Sequence, residues 1–117
     1  MPNLPSEIEK VLYEFIKKVR EILGERVIKI VLYGSYARGD YNENSDIDIM
    51  ILTDLSDDEI IEYRSKISDI AFDIEFDNSF NVMISPLVKN IDKFNYWLEA
   101  LPFYMNVQEE GVVLNEK

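Results

Sequence analysis

The chain has 117 residues, enough for one domain with a single core, and its 47% hydrophobic and 30% charged composition fits a soluble globular protein. It contains no cysteine and no histidine, which excludes disulfides, thiolate metal sites, cysteine nucleophiles and the usual imidazole base. Any metal site is left to oxygen ligands, which suit Mg²⁺ or Mn²⁺. The formal net charge of −11 argues against a long nucleic-acid partner and favours basic protein surfaces, while a metal-bound small nucleotide stays compatible. No apolar stretch approaches membrane-spanning length and the N-terminus lacks a signal-peptide core, so one cytoplasmic domain over residues 1–117 is expected.

Ser6-Glu7-Ile8-Glu9 has the form of a capping box, with Ser6 as N-cap and Glu9 at N3. Ile8, Val11, Leu12, Phe15, Val19 and Ile22 then recur at helical spacing, predicting a helix over about 7–23 that ends at Gly24. Val27 to Tyr33 is apolar on both faces apart from Lys29, the pattern of a central strand covered on both sides. Gly34 to Ser45 reads as a loop that opens with a helical turn, and Ile47 to Leu52 as a second strand.

Ser56-Asp57-Asp58-Glu59 is another capping box, and Ile60, Tyr63, Ile67, Ile70, Ala71 and Ile74 predict a helix over about 57–75. Asp77-Asn78-Ser79 reads as a turn and Phe80 to Ser85 as a third strand, with Pro86 marking its end or an edge position. Ile91, Phe94, Leu98 and Leu101 mark a short helix, and Pro102 starts another that reaches Gln108–Glu110 before Gly111. Val112-Val113-Leu114 is a last strand, followed by a frayed Asn-Glu-Lys end. The aromatic residues Phe94, Tyr96, Trp97, Phe103 and Tyr104 read mostly as core, with the remainder available as a partner surface.

The chemistry concentrates in Val31-Leu32-Tyr33-Gly34-Ser35-Tyr36-Ala37-Arg38-Gly39-Asp40 and Ser45-Asp46-Ile47-Asp48-Ile49-Met50. Gly-Ser at a strand end can wrap a phosphate with backbone N–H groups. Asp46 and Asp48, at i and i+2, point to one face with Met50 and Leu52, so both can hold one hard cation. Two carboxylates at the mouth of a buried strand are costly without a counter-charge, and a metal supplies it. Arg38 either neutralises phosphate charge or pairs with Asp40 or Glu43, and Tyr36 either stacks on a base or packs.

Gly34-Ser35, ten intervening positions and Asp46-x-Asp48 resemble the signature of the nucleotidyltransferase (polymerase β-like) superfamily. The size and the wording Gly-Ser-Tyr-Ala-Arg-Gly, then Ser-Asp-Ile-Asp, are similar to its minimal prokaryotic members, the MNT proteins. The resemblance implies an α/β nucleotidyltransferase fold, a small mixed β-sheet with helices packed mainly on one face. It implies that Gly34, Ser35 and Arg38 bind the nucleotide and that Asp46 and Asp48 are catalytic and bind Mg²⁺ (or Mn²⁺), with ATP or another NTP as substrate. The family's third acid sits on the next long strand. Phe80-Asn81-Val82-Met83-Ile84-Ser85 carries none, which leaves Asp73, Glu75 and Asp77 as candidates.

The function expected is transfer of a nucleotidyl group, AMP by preference, to a hydroxyl on a partner. By resemblance that partner is a HEPN-like or other basic protein of a toxin–antitoxin pair, with a second copy of the chain left open as a further partner. The alternative is a non-catalytic module of the same fold that neutralises a toxin by contact.

Overall fold

The structure, a computed structural model, describes residues 4–116. In chain order the elements are α1 (Ser6–Leu23), β1 (Val27–Tyr33), α2 (Ser35–Arg38), β2 (Ile47–Thr53), α3 (Asp57–Asp77), β3 (Ile84–Asn90), α4 (Ile91–Trp97), α5 (Pro102–Glu110) and β4 (Val112–Glu116). A short 3₁₀ turn, Gly24–Arg26, joins α1 to β1. The strands form one mixed sheet in the order β3-β2-β1-β4. β1 pairs antiparallel with β2 and with β4, whereas β2 and β3 run parallel and are joined through α3, the long crossover that a parallel pair requires.

The alternation of β2 builds the two faces. Ile47, Ile49 and Ile51 join Ile30 and Leu32 of β1 beneath α1 and α3, while Met50 and Leu52 join Val31 under Phe94 and Val107 of α4 and α5. The two long helices thus cover one face and the two short ones the smaller second core. Val27 lies on the α1 side despite its odd spacing from Ile30, because the β1–β2 register slips between Val27 and Lys29. α1 contributes Ile8, Val11, Leu12, Phe15, Val19 and Leu23, so its buried row ends on Leu23 and Ile22 is exposed.

Several local features differ from the expectations. Ser6 does not cap α1: Pro5 is the N-cap, and its carbonyl accepts the N–H groups of Ile8 (3.0 Å) and Glu9 (3.1 Å), so the helix starts one residue earlier. The third strand is Ile84–Asn90 rather than 80–85. Residues 78–81 instead wind into a tight turn, with Phe80 N–H on the Glu75 carbonyl at 2.8 Å and Asn81 N–H on that of Asn78 at 3.1 Å. Ser79 and Phe80 are both left-handed there, at φ 56° and 58°. Pro86 sits inside β3, which tolerates a missing donor because it is an edge strand. Asn115 and Glu116 belong to β4, and Asn115 accepts a bond from Arg20 Nη1 at 2.5 Å; Lys117 lies outside the described residues. Of the C-terminal aromatics only Phe94 is buried, while Tyr96, Trp97 and Phe103 are exposed.

The predicted capping box at α3 is present, with Ser56 N–H on Glu59 Oε1 at 3.1 Å and Glu59 N–H on Ser56 Oγ at 3.3 Å. The Arg26 guanidinium also donates to Glu59, at 2.8 and 3.0 Å. Those Arg26 bonds, and then the Ser56 backbone N–H, hold the Glu59 carboxyl down from 4.5 to about 2. A carboxylate depressed in the folded state stabilises above its ordinary value, and that stabilisation is lost as pH falls toward the folded value. Glu59→Gln keeps the cap but not the charge, so its urea midpoint should fall less than wild type's between pH 4.5 and about 2. Phe15 is 0% exposed at the centre of the larger core. Phe15→Ala should cost about 3–5 kcal/mol in the same urea experiment.

Candidate functional site

The site is created by strand register. In the antiparallel β1–β2 pair Tyr33 is opposite Asp48, so the chain leaving β1 at Gly34 passes beside the first residues of β2. Gly34 has φ 77° and ψ −156°, a conformation essentially restricted to glycine. A Cβ there would overlap Asp48 Oδ2 and stand 3.2 Å from Asp48 Cγ, so the missing side chain is what lets the loop touch the carboxylate. The chain then turns at once into α2, with Ala37 and Arg38 N–H on the Gly34 carbonyl at 3.1 and 3.0 Å, and stops at the left-handed Gly39.

A cleft of about 320 Å³ opens at this junction, lined by Tyr33, Gly34, Ser35, Arg38 and Asp48 on one side and by Phe103, Asn106, Val107 and Glu110 of α5 on the other. Asp48 is half-buried in it, and Asp46 is exposed one step before β2 begins. Burial first, and then the neighbouring Asp46 charge, push the Asp48 carboxyl above its ordinary range, partly offset by Arg38. Tyr33 is pushed up to about 12 by burial and by Asp48. Arg38 is braced by Asp40 at 3.2 Å and Glu110 at 3.4 Å, so of its two expected acidic partners the structure supplies Asp40 and adds one from α5. Tyr36 is buried and stacks on Tyr41 with ring centroids 4.5 Å apart, a packing role.

The third-carboxylate candidates do not join this group. Asp73 and Asp77 are exposed on α3, and Glu75 is buried with its Oε2 accepting the Ile84 N–H at 2.8 Å. Ile84 pairs with Ile47 and packs in the larger core, so Glu75 secures the start of β3 on the sheet face opposite Asp48. The residue beside Asp48 on β3 is Ser85. Among the described residues no three Asp or Glu side chains are grouped closely enough to hold a metal ion. Asp46 and Asp48 together still fit a Mg²⁺ or Mn²⁺ ion, which commonly takes one or two protein carboxylates and completes its shell with phosphate and water oxygens.

The α5 residues Phe103, Asn106 and Glu110 were missed in the sequence. They lie about 70 positions from Gly34–Arg38 and reach the cleft because β4 returns to the free edge of β1. Gly111 makes this close return possible, since a Cβ on it would stand 2.5 Å from Val31 Cγ1.

Comparison with known proteins agrees with this architecture. The nucleotidyltransferase domain family model matches residues 12–114, and the chain belongs to that family. A relative from Methanocaldococcus jannaschii named "Putative protein adenylyltransferase MJ0604" is 38% identical over 106 residues, 91% of this chain and 96% of that protein. The protein adenylyltransferase MntA of Thermococcus cleftensis is 44% identical over 46 residues, 39% of this chain and 44% of that one. A solved toxin–antitoxin structure with AMP-PNP shares the fold, with TM-score 0.51 and 20% identity over 88% of this chain and 72% of that one. No helix among the described residues is long and apolar enough to cross a membrane.

The Gly34–Asp48 contact is open to a double-mutant cycle. Gly34→Ala should cost about 1–3 kcal/mol from backbone strain alone, with a steric penalty added. Asp48→Ala in the same chain should recover the steric part. Urea unfolding of both single variants and the double variant checks this, and strictly additive costs would contradict the contact.

Proposed function

We propose that this chain is a protein adenylyltransferase of the MNT type, moving AMP from ATP to a hydroxyl on a basic partner protein with which it forms a toxin–antitoxin pair. The observation that carries the reading is the cleft in which the Asp48 carboxylate lies against Gly34, beside Ser35 and Arg38. The family supports nucleotidyl transfer. The names of the relatives support a protein acceptor, and the AMP-PNP in the toxin–antitoxin neighbour supports ATP. The family resemblance makes a HEPN-type protein the partner, and the net charge of −11 suits a cationic one.

Each residue has a definable task. Gly34 admits the triphosphate to the backbone, and Ser35 offers its hydroxyl and N–H, the first N–H groups of a helix having no internal acceptor. Arg38 turns from Glu110 to the phosphates, a planar donor exchanging one oxyanion for another. Asp46 and Asp48 hold Mg²⁺ or Mn²⁺, which neutralises phosphate charge and polarises the α-phosphorus when bound. The acceptor oxygen attacks that phosphorus in line and a new P–O bond forms. The bond to the bridging oxygen breaks, pyrophosphate leaves with the electron pair, and the hydroxyl proton passes to water at the open cleft.

A contact-only module of the same fold is the second reading. It is favoured by the carboxylate site having two acids rather than three. Incubating the protein with native lysate, Mg²⁺ and α-labelled ATP separates the two readings. Label on a co-purifying protein, lost at least 100-fold with Asp46→Asn or Asp48→Asn, is the result expected. A co-purifying partner that stays unlabelled establishes the contact-only module. In calorimetry, AMP-PNP binding should require Mg²⁺, and binding unchanged in the double Asn variant would refute the metal assignment.

A further inference from the structure

We propose that the outer face of α3 and the turn after it, centred on Phe72, Phe76 and Phe80, is the surface on which the acceptor protein docks, through apolar side chains flanked by lysines or arginines. This assignment rests on the protein-adenylyltransferase reading above.

Phe72, Phe76 and Phe80 are 53%, 65% and 49% exposed. They nevertheless cluster, with ring centroids 5.8 Å apart for Phe72–Phe80 and 6.0 Å for Phe76–Phe80. Phe80 reaches this position through left-handed backbone at Ser79 and Phe80, locked by the Phe80 N–H on the Glu75 carbonyl. A turn that uses unfavourable backbone to hold a large apolar ring in solvent marks an interaction surface rather than a packing accident.

The charge on this face specifies the occupant. Asp69, Asp73 and Asp77 follow one another at i, i+4 beside the Phe row, and all three are exposed. None of them takes part in an ion pair within the described residues, and the chain has no Lys or Arg between Lys66 and Lys89. The last turn of α3 has no basic residue, so Asp73 and Asp77 also oppose the helix dipole. Aromatic faces bordered by unpaired carboxylates are complementary to cationic side chains on an apolar surface and repel a second copy of themselves. The turn that carries Phe80 lies at the end of the sheet where β2 begins. Met83, exposed three residues after Phe80, accepts through its carbonyl the N–H of Ile47, the residue between Asp46 and Asp48. Phe72 and Phe76 stand outside the α3 layer, over the sheet face opposite Asp48, so a protein seated here must extend around that end of the sheet to reach the carboxylate pair.

The test uses the protein that wild type labels from α-labelled ATP in native lysate, purified as substrate. Two variants are compared with wild type, Phe72→Ser/Phe76→Ser/Phe80→Ser and Asp69→Lys/Asp73→Lys. Both should bind AMP-PNP with wild-type affinity in calorimetry and raise KM for the acceptor at least tenfold with kcat retained. The charge variant should also flatten the salt dependence of KM. If circular dichroism shows the serine variant unfolded, the charge variant decides alone. Wild-type KM in the folded variants overturns the docking surface and leaves adenylyl transfer standing. A wild type that labels no protein overturns the transfer reading and this surface with it. Concentration-dependent dimerisation abolished by the serine substitutions, with acceptor KM unchanged, assigns the face to a second copy and overturns the proposal.

Discussion

The antiparallel register of β1 and β2 is the constraint on which the site depends. Tyr33 opposite Asp48 brings the end of one central strand to the start of the other, so a glycine loop and a carboxylate pair separated by a dozen residues share one place. The register itself is held by burial: Ile30, Leu32, Ile49 and Ile51 must all face the α1 and α3 layer. Slipping by one residue would turn these side chains toward the wrong core and swing Asp48 with them. The apolar alternation that folds the sheet therefore also aims the carboxylate.

Asp48 shows what this placement does electrostatically. It stands half-buried at the head of a strand whose next four residues are fully buried, with Asp46 close by and Arg38 as the cation that acts on it. Arg38 is itself shared with Asp40 and Glu110. The cleft thus holds more negative charge than its own residues neutralise, a condition that a divalent cation relieves. The same acidity runs over the molecule, with a formal net charge of −11, so its attraction for cationic surfaces is general rather than confined to the cleft.

The two cores divide the work. The larger one, beneath α1 and α3, carries most of the buried apolar surface, and Glu75 is spent on its border, tying α3 to the first N–H of β3. The smaller one, under α4 and α5, is built from Val31, Met50, Leu52, Phe94 and Val107 and brings the far wall of the cleft into position. β4, an edge strand joined only to β1, ties the end of this wall to the sheet, and the packing of Val107 in the smaller core holds the rest.

Much was legible in the sequence because it is local. The capping box at Ser56, the rows of apolar residues in α1 and α3, the continuous apolar β1 and the alternation of Asp48, Met50 and Leu52 against the isoleucines are all set by spacing along one element. So was the Gly34-Ser35 and Asp46-x-Asp48 constellation, whose parts flank one loop. What tertiary structure alone decided involves partners distant in sequence. Pro86 entered a strand because β3 lies at the edge, which a periodic reading of 80–85 does not reveal. Glu75 was withdrawn from the site because α3 presents it to the opposite face of the sheet. Arg38 found Glu110, and the cleft its second wall, only when β4 closed on β1. Short-range periodicity determines which elements form and which way their side chains point. Which elements meet is determined by packing among all of them together.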